Sequence, residues 1–124
     1  MYQAPSAPRR DALAGRRANA SRSCGVVIAM IAAEKNVPRE LLMAPRRSKL
    51  PVARARQLAM YLSHVVLGHT LLDIGKQFGR DRTTVSYACA LIEDMRDDPR
   101  FDAEVTLLEQ RIDEEATRHA AQHA

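Results

Sequence analysis

Apolar residues along this chain recur at helical spacing in several separate blocks, and no block shows the alternation of a strand. Cys24, Val27, Ile28 and Ile31 fall at i, i+3, i+4 and i+7, which predicts a helix starting near Ser21 or Ser23. It should end near Lys35-Asn36, because Pro38 cannot continue it. The run RELLM, Arg39 to Met43, predicts a short second helix. Pro51 suits a first helical position and opens a long helix to about Leu67, with Leu58, Leu62 and Val65 inward, flanked by Ala55, Met60 and Val66. Gly68 ends it with the positive φ that glycine accepts. Thr70 caps a short helix, Leu71 to Phe78, stopped by Gly79. Asp81 caps the next, with Val85, Ala88, Cys89 and Ile92 inward, running to about Asp97. Asp98-Pro99 starts the last, whose stripe is Phe101, Val105, Leu108 and Ile112 and whose pattern fades past Glu115. The expected architecture is all-α: a bundle of about six helices containing a helix-turn-helix.

Composition sharpens this at the ends. Residues 1–20 combine Pro, Ala, Gly and paired arginines with few large apolar groups, and read as a flexible basic arm. Residues 21–115 form the helical domain, and 116–124 a polar tail. With 124 residues and 46% hydrophobic composition, one domain with its own core is expected. Cys24 and Cys89 lie in no ligand-spaced cluster and read as reduced, buried thiols of a cytoplasmic protein. Neither a membrane span nor a secretion signal is expected.

Charge is divided unevenly. Residues 1–56 carry 12 Lys/Arg against 3 Asp/Glu, a balance of +9, whereas residues 57–124 carry 7 against 12, a balance of −5. A basic half suits an anionic partner approached from one side, and equally suits a basic tail beside ordinary solvated helices. Between Ala44 and Arg56 there are five cations and no acid: Arg46, Arg47, Lys49, Arg54 and Arg56, the first three in a proline-framed loop. That loop, with Gln57 in the following helix, is a candidate phosphate-binding surface.

Enzymatic readings are weak, and no catalytic residue or cofactor is assigned. The chain has neither a P-loop nor a dinucleotide fingerprint; Gly75 and Gly79 do not make one. The acidic pairs Asp97-Asp98 and Glu114-Glu115 read as solvated surface. His119 and His123 have metal-compatible spacing but no third ligand, and read as incidental. His64 and His69 are expected to be exposed. The stronger motif is Leu71 to Phe78, Gly79, then the helix from Arg82, with Gly75 where two helices must approach closely. The second helix offers Arg82, Thr83, Thr84, Ser86 and Tyr87 near its start, where recognition helices contact base edges. The generic alternative is an ordinary surface helix start.

The run ARQLAMYLSHVVLGHTLLDIGKQFGRDRTTVSYACALIEDMR resembles the C-terminal DNA-binding domain of the bacterial replication initiator DnaA, in a likeness extending over about Ser23 to Ile112. The resemblance implies a helix-turn-helix in the major groove and a basic loop in the adjacent minor groove. Arg56 and Gln57 match the family's Arg-Gln pair, and Arg46, Arg47, Ser48 and Lys49 match its basic loop. Asp81, Thr83 and Thr84 match an Asp and two Thr that contact bases or phosphate; Leu71 and Leu72 stand where backbone groups meet phosphate. Arg80, between glycine and cap, joins the same DNA-binding set. The family has two glycines before Arg-Asp where this chain has only Gly79, so its turn is one residue shorter, a change expected to re-aim the second helix. It has histidines where this chain has Arg82 and Tyr87. An altered base preference is therefore expected. With about twenty residues before the first predicted helix, no upstream ATPase domain is expected. The implied function is a stand-alone, nucleoid-associated reader of double-stranded DNA, most simply a transcription regulator of prophage-like or gene-transfer clusters. Alternatives are a replication modulator at initiator sites and a protein-interaction adaptor on the same fold. A monomer is expected, and the acidic last helix, Asp102 to Glu115, is a candidate surface for RNA polymerase or another regulator.

Overall fold

A computed structural model of the chain describes residues 10–45 and 48–122, with backbone alone for 10–18 and for 119–120. Among the described residues there are six helices and no strand: α1 Arg10–Lys35, α2 Arg39–Leu42, α3 Leu50–Val65, α4 Leu71–Phe78, α5 Arg82–Met95 and α6 Pro99–Gln122. None of them is long and apolar enough to cross a membrane.

The capping signals produce the breaks they predict. Asn36 adopts a left-handed φ of 53°, and the amide of Val37 bonds back to Ala32 O at 2.9 Å, closing α1 ahead of Pro38. Gly68 takes φ 72° after α3. Thr70 Oγ1 accepts from the Asp73 amide at 3.1 Å at the head of α4, and Asp98 Oδ1 accepts from the Arg100 amide at 3.1 Å at the head of α6.

Two boundaries differ from expectation. α1 begins at Arg10, well ahead of Ser21, so residues 10–20, expected as part of the arm, are helical; residues 1–9 lie outside the described residues. α6 runs on to Gln122, so the polar tail is helical as far as the structure describes it. Both extensions are rich in Ala and carry Arg, strong helix formers that need no apolar stripe to continue a helix already nucleated.

α3 is the centre of the bundle, with α1 and α5 packed on it and α4 against α5. Ala55, Leu58, Ala59, Met60, Tyr61, Leu62 and Ser63 are all buried, so α3 is covered on nearly every side. Val65, expected inward, is instead 48% exposed, while its neighbours Val66 and Leu67 pack against the core. The stripes of α1, α5 and α6 lie in the same core, which contains Cys24, Val27, Ile28, Ile31, Val85, Ala88, Ile92, Val105, Leu108 and Ile112. Cys24 is a buried free thiol and Cys89 a half-buried one; burial raises the pKa of both.

Arg96, just past α5, fastens three helices together. Its guanidinium donates to Asp102 Oδ1 at 2.6 Å, to Thr106 Oγ1 at 3.1 Å and to Tyr61 Oη at 3.0 Å, and pairs with Glu109 at 3.0 Å. Tyr61 in turn donates to Glu93 at 2.7 Å. Burial works against the charge, but the bonds to Asp102, Tyr61 and Glu109 outweigh it, and Arg96 is held more firmly protonated than a free arginine. Lys35 pairs with Glu104, and Arg111 with Glu34 at 3.1 Å, so α6 is also tied to α1.

His69 is buried, 8% exposed, contrary to its expected surface position, and its Nε2 has no hydrogen-bond partner among the described residues. The chain enters α4 here, and the segment folds inward to cap the helix with Thr70. Burial lowers the His69 pKa from its ordinary 6.5, against a smaller opposing pull from Asp73. The folded chain therefore binds this proton less readily than the unfolded one. Its contribution to stability is complete above about pH 6.5 and is lost as pH falls through the lower folded value. Thermal unfolding between about pH 7.5 and 5 should show a falling melting temperature, and His69→Phe should flatten that slope.

Candidate nucleic-acid interface

The head of α5 is built by two backbone devices. Gly79 takes φ 66°, and the amide of Arg80 bonds back to Gly75 O at 2.8 Å, closing α4 tightly. A Cβ on Gly75 would lie 2.4 Å from the carbonyl oxygen of Arg80. Glycine is needed there because the turn itself, rather than a second helix, lies against α4. One residue further on, Asp81 Oδ1 accepts from the amide of Thr84 at 2.8 Å and starts α5. The bond to Thr84 lowers the Asp81 pKa, so the cap stays ionised in mildly acidic solution.

Beyond that cap, Arg82, Thr83, Thr84, Ser86 and Tyr87 are exposed, while Val85 and Ala88 on the opposite face are buried. Tyr87, 66% exposed, is the most open of the large apolar side chains described. Five polar or aromatic side chains thus stand together around a helix N-terminus whose amide groups favour negative charge. Leu72 is half exposed at the start of α4, whereas Leu71 packs against the core.

The remaining basic candidates divide. Lys49 is exposed immediately before α3. Arg46 and Arg47 lie outside the described residues, as does His123, and nothing of the His119 side chain is described. Arg54 is half-buried and donates to Gln57 Oε1 at 3.0 Å, so these two neighbours bind each other.

Arg56 is a cation turned inward. It is 7% exposed, and it donates through Nε to Leu42 O at 2.7 Å and through Nη2 to Leu41 O at 3.1 Å and Ser48 Oγ at 2.8 Å. Burial and then the nearby Arg80 charge lower its pKa. Arg80 is half-buried, donating through Nη1 to Phe78 O at 2.7 Å and through Nη2 to Ala44 O at 2.6 Å, and burial lowers its pKa too. Both arginines spend donors on carbonyls at helix ends and in the loop after α2, where the helical ladder supplies few donors. Sequence reasoning could not see this, since a basic run looks the same whether its cations face solvent or backbone. The role of Arg96 was equally hidden, because its partners lie on helices whose relative placement only the fold decides.

The family of the bacterial DnaA protein helix-turn-helix matches residues 25–92, more than half of the chain. The chain belongs to the bacterial DnaA helix-turn-helix family. Among relatives, the chromosomal replication initiator protein DnaA of Bartonella quintana is 40% identical over 88 residues, covering 69% of this chain and 18% of that protein. The Rhizobium meliloti DnaA is 36% identical over 115 residues, covering 88% of this chain and 24% of that one. A solved DNA replication initiation factor superposes with a TM-score of 0.75 at 25% identity, over 85% of this chain and 32% of its own. The chain therefore spans about a fifth of the length of the curated DnaA proteins it matches. The matched segment ends at Ile92, so Arg96 and α6 lie beyond it, while Tyr61, to which Arg96 is bonded, lies within it.

Gly75→Ala should be destabilised by about 1–3 kcal/mol, since the rigid turn backbone must move to admit the methyl. Urea denaturation followed by circular dichroism measures this directly.

Proposed function

We propose that this DnaA-type helix-turn-helix protein reads duplex DNA in a sequence-specific way and acts as a transcription regulator. What carries the proposal is the exposed set Arg82, Thr83, Thr84, Ser86 and Tyr87 on a helix start fixed by Gly75, Gly79 and Asp81. In the major groove, Arg82 can donate two bonds to guanine O6 and N7, while the threonines and Ser86 can donate or accept. Tyr87 supplies an apolar ring with a polar tip. Lys49, with Arg46 and Arg47 of the same loop, contacts backbone phosphate or the neighbouring minor groove. No step in this function is catalytic.

Family membership also favours a second reading, since the named relatives are chromosomal replication initiator proteins. In that reading the chain occupies initiator sites and modulates replication. Chromatin immunoprecipitation separates the two: peaks at promoters support a regulator, and peaks at the origin support a modulator. A surface for RNA polymerase or another protein on α6 belongs to the proposal as well. Asp102, Glu104 and Glu109 already pair within the fold, and Glu115 pairs with Arg118 one turn on, which leaves exposed Asp113 and Glu114 as its other acidic groups. Action as a monomer on an asymmetric site is the simplest arrangement.

If about five phosphates are neutralised, log affinity should fall against log salt with a slope of roughly −4 to −5, read by fluorescence anisotropy. Arg82→Ala should cost about 1–3 kcal/mol on the preferred site and relax selection at one base pair. An unchanged ranking of sites in a binding selection would remove Arg82 from base reading.

A further inference from the structure

Arg80 and Arg56 converge on one short stretch of chain, the end of α2 and the loop after it. Arg56 holds Leu41 O, Leu42 O and Ser48 Oγ, so it fixes both ends of that stretch to α3. Arg80 joins the same stretch to the helix-turn-helix: Nη2 donates to Ala44 O at 2.6 Å, 36 residues away, while Nη1 donates to Phe78 O at 2.7 Å in its own turn. The Arg80 backbone cannot give way either, because its amide is bonded to Gly75 O and its carbonyl lies where a Gly75 Cβ would be. Asp81, the cap of α5, is the next residue. A chain of short contacts therefore runs from Ala44, at the foot of the basic loop, through the Arg80 guanidinium, to the first turn of α5.

These are charge-assisted bonds from a planar, forked donor, the strong and directional kind. Two like charges brought near each other cost energy, and the carbonyls that receive them are what keeps them there. Each terminal nitrogen of Arg80 spends an N–H within the protein, one on Ala44 O at the foot of the loop and one on Phe78 O at the end of α4.

We infer that Arg80 is a positioning residue that sets the distance between the basic loop and α5, and so restricts the protein to one spacing between the DNA tract under the loop and the tract under α5. This rests on the duplex-reading function proposed above. Without the tie, the loop around Pro45 keeps its attachment to α3 through Arg56 but loses its attachment to the turn. Each tract could then still be read, with the spacing between them relaxed.

The test has two arms. A preferred site is obtained by selection from random duplex DNA, footprinted to locate the two tracts, and remade with one base pair inserted between them. The insertion moves one tract by about 3.4 Å and about a tenth of a turn. The unmodified protein should lose about tenfold or more on the inserted site, and Arg80→Ala only about threefold or less, with base preferences inside the α5 tract retained. Arg80→Lys, which can hold one carbonyl at a time, should fall between them. Equal loss by Arg80→Ala on both sites would overturn the inference, pointing to a phosphate contact if the salt slope drops by about one, and to general destabilisation if it does not. The second arm needs no DNA. Hydrogen–deuterium exchange of Arg80→Ala should show peptides covering 44–50 and 79–84 losing protection together, with α1 and α6 unchanged. Loss confined to 79–84 overturns the inference. Absence of DNA binding by the unmodified protein, with coupled exchange intact, overturns the proposed function and leaves the mechanical tie standing.

Discussion

The close approach of the Arg80 carbonyl to Gly75 is the constraint on which the site depends. It fixes where α4 ends, how sharply the chain turns and where Asp81 must start α5. A side chain at position 75 would push the turn away, and the exposed set on α5 would move with it. The chain meets this constraint with one left-handed residue, Gly79, and one bond from the Arg80 amide to Gly75 O. Thermodynamically this replaces freedom at the corner with contact, a sound exchange for an element that must present side chains to a rigid partner.

Around that corner, inward-turned cations supply hydrogen bonds that an apolar core cannot. Arg56, Arg80 and Arg96 each gather acceptors from elements far apart in sequence. The first two are directed mainly at backbone carbonyls, and the third at carboxylates and hydroxyls. Backbone carbonyls at the end of a short helix have few other partners, so an arginine drawn inward removes an unmet acceptor while stiffening the loop. Carboxylates around Arg96 serve a different end, setting the angle at which α6 leaves α5.

Much of this was legible in the sequence. Helix number, caps and most inward stripes followed from period and from Asn36, Gly68, Thr70, Gly79, Asp81 and Asp98, because these signals act locally. The exposed leading edge of α5 was legible for the same reason: Val85 and Ala88 define one face and leave the other to Arg82, Thr83 and Ser86. What was not legible was long-range. Arg56 and Arg80 read as cations for phosphate because their true partners are carbonyls, which no residue type advertises. Val65 and His69 were placed on the wrong side because the ends of packed helices are decided by neighbours rather than by period. The early start of α1 and the long run of α6 were missed because the reading looked for apolar stripes, and helices carried by propensity have none.

The exposed leading edge of α5 is the part of this protein least involved in holding it together. Val85, Ala88 and Ile92 anchor α5, and the Arg96 cluster grips its far end, but Arg82, Thr83, Ser86 and Tyr87 project away from all of that. Exchanging such side chains disturbs little of the packing, so the chemistry of this edge can change by single substitutions while the scaffold stays intact. A helix built this way separates what it presents to solvent from what keeps it folded.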